Sequence, residues 1–211
     1  MMRGFVLSLI AVQAIQPFVL GLPAPEPKPS PPGIPSPSTA QKELESLTVA
    51  AQGSQDGYDR AKFPHWITHD GNCNTREVVL KRDGQDVVQS STCAAISGSW
   101  YSPYDGATWN QSSDVDIDHL VPLSNAWKSG ASQWTTDDRK AFANDLTYPQ
   151  LLVVTDNVNE SKRDKGPEAW KPPLDSYHCT YAEMWVQVKS VYNLTITAVE
   201  KSALVEMLGT C

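Results

Sequence analysis

The chain has 211 residues and a formal net charge of −7, from 17 basic and 24 acidic side chains. This acidic balance argues against nucleic-acid binding through a global basic field, although it does not exclude a local basic cleft. The length that remains after the N-terminal segment suits a single domain, and no internal repeat is visible.

The N-terminal segment is typical of a secretory signal peptide, which we predict at residues 1–22. A positive start at Arg3 precedes the apolar run Phe5–Val12, which is too short to span a bilayer. A membrane anchor is the alternative, but polar residues and a proline interrupt the apolar run. Residues 23–40 are rich in Pro and Ser and predict an extended linker or propeptide. Residues 41–211 form the predicted domain.

The first half of this domain is predicted to contain a helix, a small hairpin and a strand. Gln41–Ala51 has helical spacing. Glu77–Lys81 and Val87–Ser90 alternate like paired strands around a turn at Asp83-Gly84, which predicts a small N-terminal hairpin. Val115–Asp118 is predicted to be a half-buried strand.

The second half is predicted to be helical around one buried strand. The continuous apolar run Leu151–Thr155 predicts that strand. Thr197 and Glu200 form a capping box that predicts the start of the last helix. The predicted helices are Asn125–Lys128 capped by Ser124, a helix from Thr135 or Thr136 to about Leu146, one beginning at Val158-Asn159 after a cap at Asp156 or Asn157, Thr180–Tyr192 and Thr197–Leu208. The predicted class is mixed α+β.

The four cysteines predict two disulfides in a secreted chain. Cys73 and Cys93 flank the predicted hairpin, and Cys179 and Cys211 flank the C-terminal helices, which favours these two pairs. A zinc site is the alternative, but the spacings contain no C-x-x-C pair.

Three sites match the acceptor pattern for N-glycosylation, which predicts a glycoprotein. Asn110 and Asn193 are plain acceptors in the secreted compartment. Asn159 also fits, but a helix start after a buried strand is a poor acceptor site.

The run from Asp116 to Leu123 (DIDHLVPL) places two carboxylates and an imidazole at the end of a predicted strand. This pattern suits a hard divalent cation with a general base next to it. Asn159 lies in the first turn of the helix that follows the second strand. If that helix packs across both strands, Asn159 and Asp118 converge on one point.

These residues resemble the HNH, or ββα-metal, endonuclease superfamily. The resemblance rests on D-x-D-H-x-V-P-x-S at 116–124, on Asn144, and on N-x-x-K at 159–162. The first of these is similar to the HNH domain of CRISPR effector nucleases. The stretch 73–173 is most similar to secreted microbial members, including the C-terminal domain of GmrSD-type restriction enzymes. The resemblance implies an α+β fold with a ββα-metal (HNH/His-Me finger) core and additional helices.

The resemblance also implies roles for particular residues. Asp118 and Asn159 match the two metal ligands, and His119 matches the general base. Asn144 matches the asparagine that holds the base and its loop in place. Asp116 matches a nearby acid that supports the ligands without binding the cation. The segment from Asp118 to Asn159 is longer than in compact members, so Asn144 as a ligand remains an alternative.

Oxygen ligands of this kind favour Mg²⁺, for which Mn²⁺ can substitute. Lys162, Arg163 and Lys165 follow the second ligand and are predicted to bind substrate phosphates. A solvated surface is an equal alternative for this basic cluster.

The sequence therefore predicts a secreted, divalent-metal-dependent endonuclease. It would cleave DNA and/or RNA with little sequence specificity, act as a monomer, and have no membrane association once the signal peptide is removed. Two alternatives remain. One is a secreted binding protein or effector that keeps the HNH fold without catalysis, which the acidic charge favours. The other is an extracellular phosphodiesterase that acts on small molecules.

Overall fold

A computed structural model describes residue 1 and residues 30–69 and 71–211 of the chain. The predicted signal peptide therefore lies outside the described residues except for Met1, and the predicted linker is described only from residue 30. The first helix, α1, begins at Pro37, four residues before the predicted start of the domain. None of the helices among the described residues is long and apolar enough to cross a membrane.

The described residues form a mixed α+β fold of seven helices and two small antiparallel sheets. This confirms the predicted class. In chain order the elements are α1 (Pro37–Ser46), α2 (Thr75–Asp83), β1 (Gly84–Gln89), β2 (Ala95–Tyr101), β3 (Thr108–Trp109), β4 (Val115–His119), α3 (Leu123–Lys128), α4 (Thr136–Ala143), β5 (Leu151–Thr155), α5 (Asp156–Lys162), α6 (His178–Val191) and α7 (Ala198–Leu208). One sheet has the order β1-β2-β3, and the other pairs β4 with β5.

The predicted hairpin was wrong in its first strand, because Thr75–Asp83 is the helix α2. The side chain of Asn74 caps this helix by accepting a hydrogen bond from the Glu77 N–H at 3.0 Å. A short apolar run fits a strand and a buried helix equally well, and here Val79 and Leu80 pack into the core from the helix. The hairpin instead joins β1 to β2.

The strands β4 and β5 lie where the sequence predicted them and pair antiparallel, with Asp116 opposite Val154 and Asp118 opposite Leu152. Because side chains alternate along a strand, Asp116 and Asp118 share one face of this sheet. On that face Leu152 and Val154 join the larger core, which includes residues of α6 and α7. Ile117 belongs to the other face, which packs against α2.

Several helix boundaries differ from the predicted ones by a few residues. Predicted Gln41–Ala51 is α1, and predicted Asn125–Lys128 is α3, which begins at Leu123. Ser124 therefore lies inside α3 and does not cap it; its hydroxyl donates to Asp164 at 3.1 Å. The capping box at Thr197 is present as predicted, and Thr135 forms another at the start of α4.

Both predicted disulfides are present. Cys73–Cys93 links the segment before α2 to the β1–β2 connection, and Cys179–Cys211 ties α6 to the C-terminus. The described residues contain no free cysteine. Cys179, Glu183 and Cys211 come close enough to resemble a metal cluster, but the disulfide occupies both sulfurs, so this group does not hold a metal.

Candidate active site

The motif 116–119 lines a cavity of about 280 Å³ at the carboxyl end of β4 and along α5. The cavity brings together five residues that the sequence had singled out: Asp116, Asp118, His119, Asn159 and Arg163. Four polar lining residues were given no role from the sequence: Tyr58, Arg60, Glu160 and Asp164. Three predicted site residues lie outside the lining: Asn144, Lys162 and Lys165.

Asp116 and Asn159 are in direct contact across the gap between β4 and α5. The amide Nδ2 of Asn159 donates to Asp116 Oδ2 at 3.0 Å. The contact exists because β5 pairs with β4 and continues directly into α5. Since the amide uses its nitrogen here, its carbonyl oxygen is left to accept or to bind a cation. A glycan would replace one of the two hydrogens on this nitrogen at the cavity wall, which argues against Asn159 as an acceptor.

Asp118 is held by two buried donors. The Tyr104 hydroxyl donates to its Oδ2 at 2.6 Å, and Lys162 Nζ lies 2.9 Å from the carboxylate. The same ammonium donates to the His119 carbonyl at 3.1 Å. Burial raises the pKa of Asp118 and lowers that of Lys162, while the attraction between the two charges opposes both shifts.

Lys162 is fully buried in this arrangement. The prediction that it binds substrate phosphates therefore does not fit the structure, because its ammonium is enclosed and already bound to Asp118. Lys165 is exposed, but its Nζ donates to the Ser161 carbonyl at 2.9 Å and it does not line the cavity. Of the predicted basic cluster, only Arg163 reaches the cavity.

His119 is fixed by a hydrogen bond of 2.9 Å between its Nε2 and the backbone carbonyl of Ala143. A carbonyl can only accept, so Nε2 carries the proton and Nδ1 of the neutral ring is the basic nitrogen. The ring packs against Trp66, with 5.4 Å between centroids. Burial, with a smaller contribution from the charge of Arg60, lowers the pKa of His119 from 6.5 to about 3. The imidazole is therefore neutral over the physiological pH range.

Asn144 is the residue that ends α4, directly after the carbonyl that holds His119. Its side-chain amide makes four hydrogen bonds, to Ile67 N, Thr75 Oγ1, Pro64 O and Lys140 O. These contacts occupy the whole amide and anchor the segment that carries Trp66. The alternative in which Asn144 is a metal ligand does not fit this geometry, whereas a role in positioning His119 does.

The chain belongs to the family described as the C-terminal domain of GmrSD restriction endonucleases, whose family model matches residues 75–207. This match confirms the family that the sequence motifs predicted. The matched range contains β4, β5 and α5, and so most of the cavity.

At the level of individual proteins, the chain is similar to an "Uncharacterized secreted protein" of Arthroderma benhamiae. The two are 65% identical over 198 residues, which cover 94% of this chain and 97% of that protein. The predicted localisation is confirmed: the protein is secreted. No solved structure matches the chain.

Proposed function

We propose that this protein is a secreted, metal-dependent endonuclease that hydrolyses phosphodiester bonds of DNA and/or RNA in the cavity beside α5. The observation that carries this proposal is the placement of His119: its Nε2 is bonded to the Ala143 carbonyl, and the residue lines the same cavity as Asp116, Asp118 and Asn159. In the proposed core, β4 and β5 form the two strands and α5 the helix of a ββα-metal arrangement.

The donor set fits a hard divalent cation. Asp118 and Asn159 would hold it, and Asp116, which accepts from Asn159 and shares a strand face with Asp118, would support them. Lys162 already neutralises Asp118, so Asp116 supplies the unpaired negative charge. Mg²⁺ suits such oxygen ligands, and Mn²⁺ would substitute. When bound, the cation would polarise a phosphoryl oxygen and stabilise the departing oxygen.

His119 acts in this proposal as the general base. Its Nδ1 takes a proton from the attacking water, while the Ala143 carbonyl keeps the proton on Nε2 and fixes the plane of the ring. Asn144 keeps that carbonyl and the neighbouring loop in place. Because the sequence resembles no recognition helix or base-reading module, the proposed cleavage has little sequence specificity.

The proposal is tested by incubating plasmid DNA and a structured RNA with the purified protein, with Mg²⁺, with Mn²⁺ and with EDTA. We expect cleavage of at least one substrate with either cation and none with EDTA. His178→Ala is the matched control for His119→Ala, because His178 also bonds a backbone carbonyl through Nε2 but lies outside the cavity.

A non-catalytic secreted binding protein is the second candidate, and the ammonium of Lys162 on Asp118 is the observation that favours it. Absence of cleavage with every cation and substrate would support that candidate. If a small chromogenic diester is cleaved far faster than any nucleic acid, the protein is instead a small-molecule phosphodiesterase.

A further inference from the structure

The arginines of the described residues divide into two groups by their contacts. Three of the five form side-chain hydrogen bonds within the protein. Arg76 binds Glu77 and the Ser112 carbonyl, and Arg82 binds Asp83 and the Leu151 carbonyl. Arg139 binds three backbone carbonyls. Within the described part of the chain, Arg60 and Arg163 have no side-chain hydrogen bond or ion pair. These two are also the arginines that line the cavity.

Arg60 reaches the cavity from a segment far away in sequence. It begins the short 3₁₀ turn Arg60–Lys62, which the Asp59 carboxylate caps by accepting from the Ala61 N–H at 2.8 Å. The side chain is exposed. Arg60 and His119 line the same cavity, so the guanidinium belongs to the site of the proposed base.

Arg163 occupies an unusual backbone position directly after α5, with φ 53° and ψ −124°. A non-glycine residue in this region carries conformational strain. Arg163 is exposed and lines the cavity next to the helix that bears Asn159. An arginine at this position is costly for the backbone, and its side chain makes no hydrogen bond or ion pair among the described residues.

We propose that Arg60 and Arg163 are the phosphate-binding residues of this cavity, one carried by the turn Arg60–Lys62 and one by the end of α5. The inference rests on the proposed function, because it assigns the backbone contacts of a nucleic-acid substrate. Guanidinium groups bind phosphate through paired hydrogen bonds, which a compact ammonium does not match. The assignment replaces the buried Lys162.

The charges around the cavity allow the salt dependence of substrate binding to be predicted. Glu160 and Asp164 line the same cavity, and the chain carries a net charge of −7, so no broad positive field attracts the substrate. Binding should therefore depend on two local contacts. For single strands each phosphate contact adds about 0.7 to the slope of log affinity against log salt, so we expect a slope of roughly −1.4.

The test is fluorescence anisotropy of a short fluorescein-labelled oligothymidine with the full secreted protein in EDTA, repeated between about 50 and 200 mM salt. We expect Arg60→Gln and Arg163→Gln each to weaken binding roughly tenfold and to reduce the slope by about 0.7. Lys42→Gln is the charge-matched control, since Lys42 is exposed on α1 and outside the cavity. It should change neither quantity.

Arg163→Gly separates the loss of the guanidinium from damage to the fold. It should weaken binding as much as Arg163→Gln, with a thermal midpoint no lower than that of the wild type. An unchanged slope in both arginine variants, an equal change in Lys42→Gln, or no measurable binding by the wild type would overturn the proposal.

The outcomes also separate this inference from the proposed function. A wild-type protein that binds through both arginines but cleaves nothing retains the phosphate site and rejects the endonuclease. If the wild-type protein cleaves nucleic acid but the arginine variants keep the full salt dependence of binding, the endonuclease is retained and the phosphate site is rejected.

Discussion

The buried pair of Lys162 and Asp118 gives the strongest prediction on stability. Lys162→Met keeps most of the side-chain volume but removes the ammonium, which leaves the Asp118 carboxylate buried with the Tyr104 hydroxyl as its remaining side-chain donor. Removing one partner of a buried ion pair costs about 3–5 kcal/mol in the free energy of unfolding. For a domain of this size, the midpoint of thermal unfolding should fall by roughly 6–20 °C.

Guanidinium unfolding of wild type and Lys162→Met at several pH values measures this loss. Burial already raises the pKa of Asp118, and loss of Lys162 raises it further, so the variant can recover stability by protonating the carboxyl. The deficit should therefore be largest at neutral pH and shrink as the pH falls. Lys165→Met, an exposed control, should change stability by less than about 0.5 kcal/mol. A loss below about 1 kcal/mol, or a deficit that grows in acid, would refute the reasoning.

Three further predictions concern stability. Arg163→Gly relieves about 1–3 kcal/mol of backbone strain against roughly 0.5–1 kcal/mol of added chain entropy, so calorimetry should show a net gain of about 1 kcal/mol, not a loss. Because the pKa of His119 is about 3 in the folded state and near 6.5 when unfolded, protons favour unfolding between these values. Between pH 7 and pH 5, the free energy of unfolding measured by urea titration should therefore fall by about 2 kcal/mol more for the wild type than for His119→Gln. Equal decreases in the two proteins would contradict the lowered pKa of His119. Replacing Cys179 and Cys211 by Ser removes a disulfide between residues 32 positions apart, which should lower the free energy of unfolding in the same assay by about 3–4 kcal/mol. An unchanged free energy of unfolding would contradict this prediction.

The parts of the fold that the sequence predicted are those with strong local signals. The apolar run of β5 can only be buried, and the capping box at Thr197 leaves few other starts for α7. The disulfide pairs were predicted correctly, although the first strand of the hairpin that Cys73 and Cys93 were expected to flank is the helix α2. The strand predicted at Glu77–Lys81 was wrong because a five-residue apolar pattern does not distinguish a strand from one face of a helix. Tertiary packing determines which of the two forms.

The sequence predicted those residues of the candidate site that lie within a short motif. It did not predict the residues that reach the site through the packing of distant segments. The burial of Lys162 had a signal that was missed: it lies three residues after Asn159, so both occupy one helical face and both must meet β4. Arg60 had no such signal, because it lies more than fifty residues before the motif and arrives through the packing of a turn.

The initial rate of plasmid cleavage by wild type and His119→Ala, at saturating Mg²⁺ and with both proteins shown to be folded, tests the central claim most directly. Removing a general base typically costs 10² to 10⁴ in rate, so we predict a loss of about that size. His178→Ala should retain the wild-type rate. Cleavage by His119→Ala at a rate within about tenfold of the wild type would contradict the assignment of His119 as the base.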